Sequence, residues 1–182
     1  MYLLGDLSVY GQDFWDDLDI HDPVKQRLYL SGIRGGAGLT DLWEQAILDH
    51  IFTDPVLTMA ATLYIGLSST TPTEAGGNLT EPSTGSYARV ATTATDWSAA
   101  SGTAPAVKTN TATFTFPTAT ADWSSAANLT HFTLHAHISS TTAANFIAWG
   151  ALTVAKPVLN GDTASFAASA ITMQLGDPGD TY

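Results

Sequence analysis

Apolar positions along the chain follow two different periods, and the change between them organises everything else. Over 41–52, Leu42, Trp43, Ala46, Ile47, His50 and Ile51 recur at the three- and four-residue steps of a helix and form one apolar stripe. Asp41 is placed to cap this helix, with Glu44 three residues on as in a capping box, and Pro55 ends it. A helix of about three turns is marginal by itself, so the stripe is expected to dock on something larger.

From residue 60 onward the period becomes two. Leu63, Ile65 and Leu67 alternate with Tyr64 and Gly66, Phe114 and Phe116 with Thr113 and Thr115, and Phe132, Leu134, Ala136 and Ile138 with His131, Thr133, His135 and His137. Further strands are expected within 87–92, 145–154 and 163–175, the last with Ile171, Met173 and Leu175 inward. Turn-rich stretches at 68–85 and 98–105 separate them, and Asn160-Gly161 is a strong hairpin dipeptide. The expected fold is mainly β: an antiparallel sandwich or jelly roll preceded by an extended N-terminal arm and one short helix. Asp96-Trp97-Ser98 and Asp122-Trp123-Ser124 echo each other and are read as two similar corners, each with a Trp covering an end of the core.

Charge sharpens the division into parts. Of 17 acidic residues, ten lie before residue 55. Residues 1–38 combine the aromatics Tyr2, Tyr10, Phe14, Trp15 and Tyr29 with a cluster of aspartates and a Gly-rich end, and read as an arm laid along a neighbouring surface. The expected organisation is arm 1–38, helix 39–55 and β-sandwich 56–182. Charged residues are 13% of the 182, against roughly 25% in an average soluble domain, so Thr, Ser and Ala must cover much of the surface. A formal net charge of −11 opposes binding to nucleic acid or to an anionic membrane, and no apolar run reaches the ~18 residues that span a bilayer. With no Cys there is no disulfide framework, which fits synthesis in a reducing cytosol, and the acidic opening Met1-Tyr2-Leu3-Leu4-Gly5-Asp6 reads as an unexported start.

Catalytic and metal signatures are weak. His131, His135 and His137 would share one strand face, but their spacing matches no established zinc pattern and no carboxylate is placed beside them. They are read as a polar or subunit-facing strand surface, pH-sensitive if copies meet there. No Gly-x-Ser-x-Gly elbow occurs, Arg34-Gly35-Gly36-Ala37-Gly38 lacks the P-loop Lys, and the aspartate cluster at 13–22 lacks the calcium-loop pattern. No enzymatic activity, cofactor or metal is expected. Phe146, Ile147 and Trp149 would put large apolar groups on both faces of one strand, which points to burial in a symmetric assembly, with a homotrimer favoured. Trp43, Ile147, Trp149 and the arm aromatics are therefore the candidate subunit or scaffold contacts.

The stretch from Leu42 to Leu175 resembles a group of small tailed-phage virion proteins, often labelled tail fibre or structural protein. The likeness runs through Ala46-Ile47-Leu48-Asp49-His50-Ile51-Phe52, Ala61-Thr62-Leu63-Tyr64-Ile65-Gly66-Leu67, Pro72-Thr73-Glu74-Ala75-Gly76, Gly85-Ser86-Tyr87-Ala88-Arg89-Val90, Phe114-Thr115-Phe116-Pro117 and Ala148-Trp149-Gly150-Ala151-Leu152. The resemblance implies a virion component that acts by geometry. The first expectation is a trimeric capsid decoration or cement protein, with the major capsid protein as partner. The alternative is a tail-fibre or baseplate component, partnered by tail proteins and involved in host attachment. The third is a carbohydrate-binding β-domain with exposed Trp97 and Trp123 as stacking platforms.

Overall fold

The computed structural model describes residues 38–53, 57–102, 106–123 and 128–175. The arm and its aromatics Tyr2, Tyr10, Phe14, Trp15 and Tyr29 thus lie outside the described residues, apart from its last position, Gly38. Nine strands and one α-helix are described: β1 (Gly38–Leu39), α1 (Asp41–Phe52), β2 (Thr62–Ser68), β3 (Val90–Thr93), β4 (Ala106–Thr109), β5 (Phe114–Thr115), β6 (Leu129–His135), β7 (Phe146–Lys156), β8 (Ser165–Phe166) and β9 (Thr172–Leu175). All strand pairs are antiparallel, so the mainly β expectation holds.

One five-stranded sheet, in the order β1-β7-β6-β2-β3, forms the larger layer. Two ribbons, β4 with β9 and β5 with β8, form the other. Alternation puts Ile65 and Leu67 of β2, Leu134 of β6 and Ala148 of β7 on the side facing the ribbons, where Phe114, Phe116, Trp123, Val158 and Ile171 complete the core. Phe116, Trp123, Tyr87 and Phe166 meet there at ring separations of 5.2–6.2 Å, mostly edge-on. Buried Asn110 ties the ribbons together: its Nδ2 donates to the Ala112 and Ala167 carbonyls, and its Oδ1 accepts from Ile171 N–H. Gly150 is where Phe132 crosses β7, since a Cβ there would lie 2.4 Å from the Phe132 ring.

Several local expectations change. The stretch 163–175 is two short strands rather than one, broken by a turn at Ala167–Ala170 that places Ser169 at φ 63°. Asn160-Gly161 does form a turn, but it does not join paired strands: β8 pairs β5, not β7. The helix N-cap is Thr40, not Asp41; its hydroxyl makes no cap bond and donates instead to the Phe146 carbonyl, anchoring the helix start to β7. Strands β1 and β4 were not anticipated, being a two-residue edge and a weakly alternating Ala-Val-Lys-Thr.

A bulge corrects the argument from β7. Between the pairs Leu134↔Ala148 and His135↔Phe146 one extra residue is accommodated, so Phe146 turns to the His135 side while Ile147 and Ala148 both stay with the core. Phe146, Ile147 and Trp149 are all buried within one copy. Over Phe146–Gly150 both faces of the strand are covered by the chain itself, so Ile147 and Trp149 give no reason to invoke a neighbouring subunit.

Candidate functional site

The second face of the large sheet is polar, yet it is covered. Gly66 of β2 stands opposite Thr133 of β6, Ser68 opposite His131, and Tyr64 opposite His135. Over this strip lies the segment 69–89. Ser68, fully buried, accepts from the backbone N–H groups of Thr70 and Thr80 and so binds both ends of the loop between them. Internal bonds from Asn78 Nδ2 to the Thr71 carbonyl and from Thr73 N–H to the Gly77 carbonyl give the loop its own structure. The turn-rich stretch is thus folded against the sheet.

A compact polar latch closes the segment. Glu81 and Arg89 form a bidentate ion pair, with Arg89 Nε 2.9 Å from Glu81 Oε1 and Nη2 on Oε2. Arg89 Nη1 donates to the carbonyls of His137 and Ser140, which pins the turn after β6. The Tyr87 hydroxyl donates to Glu81 Oε1 and accepts from Leu67 N–H at 2.9 Å. That last bond replaces a ladder partner, because β3 pairs only Thr62–Ile65 of β2. Gly66 is the floor: a Cβ there would come within 2.7 Å of Glu81 Oε1 and 2.6 Å of Thr133 Oγ1.

The electrostatics follow from this packing. Burial works to raise Glu81, but the Arg89 hydrogen bonds and charge, with help from the Tyr87 hydroxyl, hold its carboxyl below the ordinary value. Burial, then the Glu81 charge, pushes the Tyr87 phenol up. Burial and next the nearby Arg89 charge lower His135 from 6.5 to about 3. His135 is neutral over the physiological range, stacked on Phe146 with its Nε2 2.9 Å from Thr133 Oγ1.

The three histidines therefore separate. His131 and His135 share the buried polar face, His131 bonded through Nδ1 to Thr130 Oγ1 and lowered by burial. His137 lies past the strand end, exposed, accepting from Ser139 and Ser140 N–H. They form no common surface for a neighbouring subunit, and among the described residues no group of three or more His, Cys, Asp or Glu is arranged to hold a metal. The tryptophan corners are likewise inward. Trp123 is buried with Nε1 donating to the Gly85 carbonyl, and Trp97 is half-buried against Phe114 with Nε1 on Thr92 Oγ1. Neither is the open stacking platform that glycan binding would use.

A family model, podophage GP4 fiber I protein gp80, matches residues 38–174. The chain belongs to this family. The match opens at the first residue of β1 and reaches into β9, so it takes in the whole described fold and leaves residues 1–37 outside. Among curated proteins, none matches the chain. The family makes this a phage virion structural component of the fibre type. No helix among the described residues is long and apolar enough to cross a membrane.

Among the described residues, one exposed apolar surface lies on the helical side. No residue of α1 is buried; Trp43 is half-buried against the core, whereas Leu42, Ile51 and Phe52 are exposed, Phe52 at 73%. Beside the helix, Leu39, Ile47, Val107, Leu134, Ala148 and Met173 line a hollow of about 280 Å3. A second hollow of about 430 Å3 continues past Leu134 and Met173 to Met59, Leu63 and Trp97. Sequence reading found the helix stripe but missed the hollows and the Glu81–Tyr87–Arg89 latch. The latch residues come from a loop with no period to mark them.

Proposed function

We propose that this protein is a component of the phage tail fibre apparatus, self-associating through its helical side and fastened to the virion by residues 1–37. The carrying observation is the fibre-family match across the entire β-fold. It favours the fibre reading over capsid decoration, which had been the first expectation. The contact surface is supported by α1: a 12-residue helix with Leu42, Ile51 and Phe52 left in solvent is marginal until something covers it. The sparse charge of the chain suits broad apolar contact between copies, and the expected stoichiometry is three. The role is mechanical: a rigid β-module presented at fixed geometry, with host attachment as its outcome.

Locating the chain on intact particles by electron cryo-microscopy tests the reading. Density at the tail in a few to a few tens of copies supports it; hundreds of copies over the head shell would restore the decoration role. Sedimentation equilibrium of the purified chain tests self-association, for which Leu42→Ser with Phe52→Ser is expected to shift trimer toward monomer.

A further inference from the structure

The segment over the polar face is held in a different way from the rest of the fold. Of residues 69–82 only Pro72 and Pro82 are buried, so little apolar area keeps them on the sheet. Polar ties do so instead. Ser68 Oγ accepts from Thr80 N–H, the Glu74 carbonyl accepts from Asp41 N–H at the start of α1, and the Glu81 carboxylate takes the Arg89 guanidinium and the Tyr87 hydroxyl. The groups that Glu81 binds are anchored independently of it. Arg89 also donates to the His137 and Ser140 carbonyls, the Tyr87 ring lies 5.2 Å from that of Trp123, and the Gly85 carbonyl accepts from Thr120 N–H and Trp123 Nε1. The part that can leave therefore ends between Glu81 and Gly85.

We propose that residues 69–82 are an acid-released cover: losing the Glu81 charge frees them as a unit from the polar face, while the aromatic core on the other side of the sheet stays packed. Charge arithmetic drives the step. With Glu81 ionised, its charge cancels that of Arg89, and His135 is neutral. With Glu81 protonated, Arg89 stays behind as a buried cation without a counterion. His135 adds to the imbalance. Its Nε2 meets Thr133 Oγ1 but its Nδ1 has no partner, so protonation sets a charged N–H where nothing accepts it, within reach of the Arg89 field. An open cover admits water to both groups.

The neighbouring groups do not offset this. Strand β2 sets Tyr64 opposite His135, β7 lays the Phe146 ring on it, β6 itself carries His131 on the same face with His137 just beyond, and Tyr87 comes from the stretch before β3. None of them is a carboxylate. At the loop tip Glu74 faces Glu44 and Asp41 of α1, and acid relieves that repulsion, so the release starts at Glu81 and not at the tip. Glu81 and His135 both titrate lower in the folded chain than in an open one, so their contributions are full near neutrality and fade as pH falls. Release is expected from the ordinary Glu value of 4.5 down toward the His135 value of about 3. The inference stands apart from the fibre reading, since it concerns one segment of the fold wherever the particle carries the chain.

Hydrogen exchange on the full chain, expressed as protection relative to a free amide, tests it. Between pH 6.5 and 3.5 the amides of Asp41 and Thr80, which bond across the contact between cover and fold, are expected to lose protection at least tenfold, while Phe116 and Trp123 keep theirs. Unchanged protection at Asp41 and Thr80 overturns the proposal. Simultaneous loss at all four also overturns it, because acid would then be opening the whole fold. Glu81→Gln removes the charge at pH 7 and is expected to give the same pattern without acid; a cover as well protected as in the unsubstituted chain overturns the proposal. The acid series on the unsubstituted chain decides the matter even if that variant fails to fold.

Discussion

The two faces of the five-stranded sheet are held by different physics. Toward the ribbons, Ile65, Leu67, Leu134 and Ala148 meet aromatic and aliphatic side chains, and the attraction is non-directional and scales with area removed from water. On the opposite face, Ser68, Thr133 and His135 are just as buried, but under a loop held by an ion pair, a phenol and hydroxyl bonds of fixed geometry. The first face tolerates a change of shape at a graded cost. The second fails when one partner is removed, because a buried charge or donor is then left alone.

Mutation separates the faces most sharply at their centres. Phe116→Ala, which opens the aromatic cluster, is expected to lower unfolding free energy by about 3–5 kcal/mol, with little change between pH 5 and 8 in denaturant titrations. Arg89→Ala is expected to cost about 3 kcal/mol at pH 7 by leaving Glu81 buried and unpaired, and the loss should shrink in acid as that carboxyl protonates. Replacing both partners, Glu81→Leu with Arg89→Met, should recover most of the loss; a double variant as unstable as the single one would mean that the pair itself is not the holding element. Tyr87→Phe should cost about 1–2 kcal/mol, since it leaves Leu67 N–H without its acceptor and removes one of the two donors to Glu81 Oε1 while keeping the ring.

Acidity acts on the polar face through His135 and Glu81. His135 is depressed in the folded protein, so the unfolded chain takes up its proton first as pH falls. Its contribution is full above about pH 6.5 and is lost progressively toward pH 3, by at most about 1.4 kcal/mol per pH unit. Glu81 adds to the loss below its ordinary value of 4.5, in the same direction. His135→Phe should flatten the upper part of this curve in thermal melts between pH 6.5 and 5; an unchanged slope would place the titration elsewhere. The smallest expected effect is on the helical side, where Ile51→Ser should alter monomer stability by no more than about 0.5 kcal/mol and act on self-association instead.

Much of the fold was legible because burial imposes a period. The stripe of Leu42, Trp43, Ala46 and Ile47 announced α1, and the alternations around Ile65 and Leu134 announced β2 and β6, since one-sided burial selects every second residue. The same logic misjudged β7 and the histidines. A continuous apolar run at Phe146-Ile147-Ala148-Trp149 looked like a strand in need of a neighbouring subunit. It is buried at home because a bulge sorts its side chains and Leu39, Thr40 and His135 close over them. His131, Thr133 and His135 looked solvent-facing because polar residues at alternate positions normally are.

The sequence by itself determined the class of structure, the helix and main strands, and the likeness that the family match confirmed, because these rest on local spacing and composition. Tertiary structure alone decided that the polar face is buried and that Trp123 points inward. The first depends on Glu81, Tyr87 and Arg89 arriving over Gly66. Contacts between residues far apart in the chain leave no period behind them, and only the folded chain brings them together.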